Sequence, residues 1–381
     1  MANNSNPEEG FTETTLKVGV TCALTGPFAD LERQPCQAIQ AYFRFLNANG
    51  GVHGRKFQVI LADDEFTNAG KGAAAVRRFV EQDKVFLLDL TISPFTCSII
   101  GEYVNQKKVP TYCTGIFTSE FGQPYIFVNM PPAIITTNHI AGQWIPANMG
   151  KRVGLVTHSA PEWVKGGAEF RHALEDNGGQ LVSEQRTALD ETDYTAAVVN
   201  TRAANPDVVF LNLMPDGVLK WYLAAQRVNY DPPILNPITG EAALVPDGVG
   251  EFVLPYRCVT LLRPPERGTP AGDRFFTIMT GYYPNTDWRS IDVPTRQSYA
   301  ASQIMEQGLE LVGPRLSRAS FMDILNSGRE FTTGGLSPGV RWEPTHTKPA
   351  YTQGLITEFD PKSHGWKPVT GTIQDQYTNR Y

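Results

Sequence analysis

Residues 16–62 read LKVGVTCALTGPFADLERQPCQAIQAYFRFLNANGGVHGRKFQVILA, and this stretch decides the fold. Residues 16–22 are typical of a buried strand. Apolar side chains then recur at helical spacing, at Ile39, Tyr42, Phe43 and Leu46. Asn49-Gly50-Gly51 ends that helix, and residues 57–62 predict a second strand. A strand, a helix and a strand in this order predict a parallel βαβ unit.

The same alternation continues along the chain. Residues 85–90 form an apolar run of the kind found in strands covered on both faces, and residues 109–113 predict a fourth strand. Helical spacing separates the strands, at Val76, Phe79 and Val80 and then at Ile100 and Val104. The first part of the chain is therefore predicted to be an α/β domain with a parallel, doubly wound sheet.

A second unit of the same kind follows, offset by roughly 135 residues. Residues 152–157 resemble the first strand, Asn177-Gly178-Gly179 repeats the first helix end, and residues 207–213 predict another buried strand. Two similar units in tandem predict two lobes of one topology. Helices predicted after the second unit, up to residue 326, need several chain crossings between the lobes if they return to the first one.

Length and charge limit the class of protein. The chain has 381 residues, which suits two domains of about 150 residues each. The net charge is −6, and Lys and Arg form no run that would neutralise phosphates, so we expect no nucleic-acid partner. No stretch of about 18 apolar residues predicts a membrane span. Residues 1–10 are polar without an apolar segment, so we expect no secretory signal in this chain; a cytoplasmic protein and a mature exported protein both remain open.

The five cysteines, at positions 22, 36, 97, 113 and 258, include no Cys-x-x-Cys pair and no cluster with histidine. We therefore expect no zinc site, at least one free thiol, and cysteines that act as small buried hydrophobes. The acidic triplet Asp63-Asp64-Glu65 is interpreted as a solvated loop, because one short cluster does not enclose a cation.

Signatures of catalysis are missing from the sequence. No Gly-x-Gly-x-x-Gly follows a strand, and neither a Gly-x-Ser-x-Gly elbow nor a His-Glu-x-x-His motif occurs. Residues 68–72 resemble a phosphate loop only in part, and we interpret them as the start of a helix. We therefore predict a binding protein without enzymatic activity, cofactor or metal, and an enzyme of the doubly wound class is the least favoured alternative.

The loops after the predicted strands are the candidate binding site, because open α/β sheets bind ligands at the carboxyl ends of their strands. These loops, residues 24–31, 91–96, 114–118 and 158–164, carry hydroxyls, glycines, prolines and aromatic rings with few charges. Such a lining favours binding over turnover. His158 lies at one strand end, although a histidine bonded to loop backbone is the more common situation.

Five segments carry a resemblance to a known family: residues 16–27, Asn47–Arg55 with its Asn-x-x-Gly-Gly pattern, Asp63-Asp64, Val153-Gly154 and Asn177-Gly178-Gly179. In their order and spacing they resemble the branched-chain amino-acid binding proteins of ATP-driven uptake systems, the type I periplasmic binding family. The resemblance covers roughly residues 15 to 368. It implies two Rossmann-like lobes joined by three crossovers, near residues 130–135, 258–265 and 331–342, that close on a ligand. The implied N-terminal lobe is 15–132 with 263–335, the C-terminal lobe is 133–262 with 336–381, and 1–14 is a tether.

The resemblance also implies the binding residues. In the first lobe, the family's polar contacts to the ligand align with Ser93, Pro94, Ile116 and Phe117, with Thr118 adjacent and Leu31 at the position of a first-loop aromatic. In the second lobe, Trp163 stands where the family lays an aromatic ring over the ligand. His158, Met214, Thr239 and Glu241 complete the candidate site, and Met214 lies where the family has a strand-end aromatic.

These alignments predict that the ligand is not a plain α-amino acid. The family's partner for the α-ammonium group aligns with Ile238 or Thr239, neither of which is acidic, and Glu241 is the nearest substitute. The family's ammonium-holding threonine aligns with Phe117. We therefore expect an acid or an amide with an apolar or aromatic body, uncharged or monoanionic, whose polar end is held by Ser93 and nearby backbone N–H groups.

The leading prediction is a substrate-binding protein of an ABC transporter, outside the cytoplasm, that delivers a small organic ligand to a membrane permease. A ligand-sensing regulatory or receptor domain of the same fold is the alternative. A branched-chain amino-acid binder is a less favoured one.

Overall fold

The tandem pattern of strands and helices is present in a computed structural model that describes residues 3–242, 244–249, 255–288 and 291–380. These residues divide into two units. Unit 1 contains residues 3–131, 265–288 and 294–351, and unit 2 contains the described residues within 132–264, 291–293 and 352–380. Each unit has its own sheet, as the repeated sequence pattern predicts.

Unit 1 begins with three strand–helix alternations and two further strands, and it receives three helices from later in the chain. Its first elements are β1 (Thr15–Cys22), α1 (Ala29–Ala48), β2 (Lys56–Asp63), α2 (Ala69–Arg78), β3 (Leu87–Asp89), α3 (Pro94–Lys107), β4 (Thr111–Cys113) and β5 (Ile126–Val128).

Unit 2 follows in the chain with the same alternation. Its elements are α4 (Ala133–Asn148), β6 (Arg152–His158), α5 (Pro161–Asp176), β7 (Gln180–Thr187), α6 (Thr195–Ala203), β8 (Val208–Asn212), α7 (Pro215–Arg227), β9 (Ile234–Asn236), α8 (Leu244–Val249) and β10 (Arg257–Thr260). The chain then adds α9 (Pro270–Tyr282), α10 (Val293–Val312) and α11 (Arg318–Leu325), and ends with β11 (Gln353–Asp360), β12 (Gly365–Pro368) and β13 (Ile373–Gln374).

Both sheets are doubly wound. The sheet of unit 1 has the strand order β2-β1-β3-β4-β5, and all four pairings are parallel. In unit 2 the order is β12-β11-β10-β9-β8-β6-β7, with β13 beside β11. Strands β6 to β10 pair in parallel, whereas β11 runs antiparallel to β10 and β12. The predicted fold class is confirmed.

The helices that follow unit 2 in sequence pack on unit 1. Helices α9 and α10 bring aromatic rings against α1: the ring centroids of Tyr299 and Tyr42 are 5.1 Å apart, and those of Tyr299 and Phe275 are 4.8 Å apart. Burial of these apolar rings supplies a hydrophobic reason for the return of the chain to its first unit.

Unit 1 extends further along the chain than the predicted boundary at residue 335. Trp342 donates a hydrogen bond from Nε1 to the carbonyl of Val128 (2.8 Å), and Nδ1 of His346 lies 2.6 Å from the carbonyl of Ile126. Both contacts hold residues 336–351 against β5. The chain therefore passes to unit 2 after residue 351 instead of within the predicted third crossover at 331–342.

The predicted N-terminal tether is packed against unit 1 over its described residues, from residue 3 onward. Phe11 is 1% exposed and meets the ring of Phe86 edge-on at 5.8 Å, because two aromatic residues can exclude water together here. The Arg55 guanidinium lies over the Phe11 ring and donates to the carbonyl of Asn4 at 2.8 Å. Residues 3–14 are part of the domain.

Each unit ends its first long helix in the same way. The N–H of Gly51 bonds to the carbonyl of Leu46 (2.8 Å), and the N–H of Gly179 bonds to the carbonyl of Leu174 (2.9 Å). Gly50 and Gly178 adopt positive φ angles of 96° and 79°, which favour glycine after a helix. The repeated Asn-Gly-Gly motif is thus a helix C-cap.

No helix among the described residues combines the length and the apolar character needed to cross a membrane.

Candidate functional site at the carboxyl edges of the two sheets

The predicted site residues of unit 1 lie on loops that leave the carboxyl ends of its parallel strands. In the loop after β3, Ser93 is fully buried and its Oγ lies 2.6 Å from Oγ1 of Thr21 on β1. Pro94 is the first residue of α3. Ser93 is therefore placed at the predicted edge, with its hydroxyl engaged inside the unit.

Asp89 organises the same loop. Its Oδ1 accepts hydrogen bonds from the N–H of Thr91 (3.2 Å) and from the Thr91 hydroxyl (2.7 Å), which forms an Asx turn at the end of the strand. Asp89 is fully buried, and desolvation raises its pKa to about 6. Asp89 was not predicted as a site residue because it lies within the apolar run at residues 85–90.

A second buried carboxylate shapes the loop after β4. Glu120 accepts hydrogen bonds from the N–H groups of Gly115 (2.8 Å) and Phe117 (3.0 Å) and from the hydroxyl of Thr114 (3.0 Å). Glu120 is 0% exposed, and this burial raises its pKa to about 7. Gly115 supports the turn with a φ of +80°, and a Cβ there would lie 2.4 Å from Val128.

Acidic residues after β2 also hold a loop, which corrects the interpretation of Asp63-Asp64-Glu65 as solvated. Asp63 accepts from the N–H of Leu24 (2.9 Å) and contacts Nζ of Lys71 at 2.6 Å. Partial burial alone would raise its pKa, but the hydrogen bonds from Lys71 and Thr25 hold that pKa well below its usual range. Asp64 is fully buried and accepts from the N–H of Phe66 (3.0 Å). Residues 68–72 start α2, as predicted, with Asn68 as its N-cap.

Four phenylalanines, three from loops at this edge and Phe95 from the first turn of α3, form a continuous row of rings. Successive ring centroids are 5.1, 5.8 and 5.5 Å apart along the order Phe28, Phe66, Phe95, Phe117. We call these residues the aromatic row. Of the row, the sequence analysis named only Phe117. The predicted residues Leu31, Ile116 and Thr118 are partly exposed, and each lies within three residues of Phe28 or Phe117 in the sequence.

Two disulfides brace the same edge, which corrects the interpretation of these cysteines as unpaired hydrophobes. Cys22 at the end of β1 is joined to Cys36 on α1, and Cys97 on α3 is joined to Cys113 at the end of β4. Cys258 is free and buried, as an odd count requires. The spacings of 14 and 16 residues carry no motif, so only the parallel-sheet topology could have suggested these pairs.

In unit 2, Trp163 and His158 lie together at the end of β6. Trp163 sits in the first turn of α5, is 5% exposed, and meets the His158 ring edge-on with 5.6 Å between centroids. Both ring nitrogens of His158 contact backbone: Nδ1 is 3.1 Å from the carbonyl of Ala188, and Nε2 accepts from the N–H of Met214 (3.0 Å). Burial lowers the pKa of His158, so the neutral ring is favoured.

Of the remaining predicted residues of unit 2, Thr239 and Glu241 make hydrogen bonds within the unit. The Thr239 hydroxyl donates to the carbonyl of Leu213 (2.6 Å). Glu241 is fully buried, and its carboxylate accepts from the hydroxyl of Thr357 on β11. Met214 is partly exposed at the start of α7. Glu241 thus lies at the end of a 3-10 helix, residues 238–241, and its carboxylate bonds inward to a strand of the sheet.

The candidate metal ligands within the described residues reduce to one group. The side chains of Cys97, Cys113 and Glu120 lie within 4.8 Å of one another, and all three are buried. Both sulfurs belong to the disulfide, so they cannot act as thiolate ligands while that bond is intact.

Comparison with known proteins gives the same fold. A sequence model described as periplasmic binding protein matches residues 15–362. A fatty acid ABC transporter substrate-binding protein from Thermomonospora curvata superposes with a TM-score of 0.80 at 20% identity, covering 98% of this chain and 95% of that one.

Two further solved structures are similar. The solute-binding protein of an ABC transporter from Rhodopseudomonas palustris BisB5, in complex with 3,4-dihydroxybenzoic acid, has a TM-score of 0.79 at 17% identity, with 96% of this chain and 98% of that chain covered. A leucine-binding protein from Thermotoga maritima MSB8 has a TM-score of 0.78 at 16% identity, with 94% and 99% covered. The chain therefore belongs to the periplasmic binding protein family and has the type I fold of ABC transporter substrate-binding proteins.

Proposed function

We propose that this protein is the substrate-binding protein of an ABC uptake transporter and that it captures a small organic molecule between its two units by hinge closure. The observation that carries the proposal is the family match over residues 15–362, which spans both parallel-sheet units. The proposal includes a membrane permease as partner, a location outside the cytoplasm, and release of the ligand chemically unchanged.

The aromatic row supports a ligand with an apolar or aromatic body. Phe28 and Phe95 are partly exposed. Phe66 and Phe117, with which their rings are in contact, are buried, with 5% and 8% exposure. Aromatic rings offer a large contact area that is well suited to flat or aliphatic ligands. Of the similar structures named above, one is a fatty acid ABC transporter substrate-binding protein and another is a complex with 3,4-dihydroxybenzoic acid.

The buried position of Glu241 argues against a plain α-amino acid. An ammonium group bound in a low-dielectric site needs a carboxylate partner, since its desolvation costs several kcal/mol otherwise. Thr239 is neutral and bonded to the carbonyl of Leu213, and Glu241 is bonded to Thr357 within the unit. The turn at residues 238–241 therefore supports a ligand without an α-ammonium group.

Identification of the co-purified ligand tests the proposal directly. Native mass spectrometry of the purified protein, followed by denaturation, should release a small organic molecule of apolar or aromatic character. A thermal-shift panel of the common amino acids beside aliphatic and aromatic acids and amides should then show stabilisation by members of the second group. Stabilisation by leucine, isoleucine or valine alone would contradict the ligand class, and chemical turnover of the bound molecule would contradict the binding role.

A further inference from the structure

The loop after β4 is folded around an internal carboxylate. Two N–H groups and one hydroxyl converge on the Glu120 side chain, from Gly115, Phe117 and Thr114, at 2.8 to 3.0 Å. The intervening N–H, that of Ile116, is directed at the Thr114 hydroxyl (3.3 Å). The N–H groups of Gly115 and Phe117 converge on one carboxylate as the N–H groups of an anion-binding nest do, and here the carboxylate is supplied by the chain itself.

Because Glu120 uses the N–H donors of this loop, the groups that the loop has left are hydrogen-bond acceptors. In the described part of the chain, nothing donates a hydrogen bond to the carbonyl oxygens of Gly115 and Ile116. In the neighbouring loop, the N–H of Thr91 is used by Asp89, and the Ser93 hydroxyl and the N–H of Ser93 are engaged with Thr21 and with the carbonyl of Leu90.

The acidic side chains at this edge of the sheet also disfavour an anionic ligand. Asp64, Asp89 and Glu120 are each 0% exposed at the carboxyl ends of β2, β3 and β4. Of the acids at this edge, Asp63 and Glu65 pair with Lys71, whereas no described ion pair involves the three buried ones. A ligand carboxylate that approached this edge would be repelled by whichever of these carboxyl groups is ionised, because like charges in a poorly solvated environment repel each other.

We propose that Glu120 stands in the place of a ligand carboxylate in unit 1, so that the ligand presents an uncharged hydrogen-bond donor to this edge. Amides and alcohols with an apolar or aromatic body are the matching chemical class. This inference rests on the proposed function and replaces the acids of its ligand class by uncharged donors. Glu120 acts by holding the loop, and it is therefore a positioning residue.

Acetate rescue tests the filled nest without knowledge of the ligand. Glu120→Ala removes a CH2–COO⁻ fragment, and acetate is the free molecule that replaces it. At a tenfold excess over its Kd, acetate should raise the melting temperature of Glu120→Ala by about 2–4 °C relative to the same concentration of chloride. Wild type and Glu102→Ala, an exposed acid on α3, should show no such gain. Equal responses of all three proteins would overturn the filled nest.

Matched acid and amide pairs test the ligand preference. Titration calorimetry with 4-hydroxybenzoate against 4-hydroxybenzamide, and with octanoate against octanamide, should give at least about tenfold tighter binding of the amide in any pair that binds. Glu120→Gln keeps the shape of the side chain but removes its charge, and it should shift the ratio toward the acid by about tenfold. Tighter binding of the acids to wild type would overturn the inference.

The two experiments separate this inference from the function on which it rests. Acid-preferring binding would leave the substrate-binding function standing and remove the role of Glu120 in ligand choice. Acetate rescue without binding of any apolar ligand would retain the filled nest and count against the proposed function. If Glu120→Ala does not fold in buffer, its refolding in acetate but not in chloride is the supporting result, and failure in both overturns the filled nest.

Discussion

At the scale of single residues, His158 shows how a histidine at a strand end becomes a structural group. Its Nδ1–H donates to the carbonyl of Ala188, and its Nε2 accepts from the N–H of Met214, so the ring must be neutral with the proton on Nδ1. The ring thereby fixes the loops that follow β7 and β8 beside Trp163. A protonated ring would confront the Met214 N–H with a second donor.

A dependence of stability on pH follows for His158. Burial places the folded-state pKa of His158 below the ordinary value of 6.5. The stabilisation that the neutral ring adds to the free energy of unfolding is therefore complete above about pH 6.5, and it is lost as the pH falls through the folded-state pKa. His158→Gln retains a donor and an acceptor without titrating. The difference in unfolding free energy between wild type and this variant should shrink as the pH falls from 7 to about 5. Urea unfolding across this range measures it, and His172→Gln, a partly exposed histidine, is the control. A constant difference would contradict this assignment.

Trp163 carries the residue-scale prediction for binding. Its position in the first turn of α5, packed against His158, fits the predicted role of a ring that contacts the ligand from unit 2. Trp163→Ala should weaken binding of the tightest panel ligand by about 1–3 kcal/mol in titration calorimetry. Trp366→Ala removes a ring of similar burial from β12, away from the parallel-strand ends, and should leave affinity unchanged. Equal effects of the two substitutions would assign Trp163 to the scaffold.

At the scale of elements, strands and helices with strong periodicity were predictable, and short or polar elements were not. The strand at residues 57–62 was found within one residue at each end, as Lys56–Asp63. Strands β5 and β9 have three residues each and were missed, because their hydrogen bonds come from neighbouring strands that a sequence window does not contain. The same limit hid Glu120 and Asp89, whose roles depend on loop geometry.

The pairing of the cysteines follows from the sheet topology and could not be read from their spacing in the sequence. Each joins the end of a parallel strand to the helix packed nearby, and each closes a loop of about 15 residues, for which chain entropy gives about 3 kcal/mol of stabilisation. Replacement of both Cys97 and Cys113 by Ala should therefore lower the unfolding free energy by about 2–4 kcal/mol.

Thiol alkylation checks the pairing itself. Denatured, unreduced protein should gain the mass of one alkyl group, on Cys258, and reduced protein should gain five. Cys258→Ala is the control for urea unfolding, since its unfolding midpoint should still fall when reductant is added. Three or more alkyl groups on unreduced protein would show that a disulfide is absent.

At the scale of the whole molecule, the tandem repeat made the two units predictable, whereas the exact places at which the chain leaves each unit were not all found. The first two boundaries, after residues 131 and 264, fall within or at the predicted crossovers. The last boundary, after residue 351, was misplaced because Trp342 and His346 anchor on backbone carbonyls of β5, and single long-range hydrogen bonds leave no periodic signal in a sequence.

The first two boundaries coincide with proline pairs, Pro131-Pro132 and Pro264-Pro265. Proline fixes φ near −65°, and Pro132 has a φ of −55°. For the proposed hinge closure, such residues have few backbone states to lose, whereas an ordinary residue loses about 1 kcal/mol or more of backbone entropy on being fixed.

A double variant, Pro132→Ala with Pro265→Ala, should therefore bind the tightest panel ligand about tenfold more weakly, while each unit keeps its stability. Small-angle scattering should show a smaller radius of gyration for wild type on addition of saturating ligand, because a ligand that prefers the closed state shifts the population toward it. The ligand-free double variant should scatter as a broader ensemble and reach the same compact state when saturated. Pro270→Ala, at the first residue of α9 within unit 1, is the matched control and should change neither measurement. Unchanged affinity in the double variant would place the rotation in bonds other than those next to the proline pairs, and an unchanged radius of gyration with saturating ligand would contradict hinge closure as the means of capture.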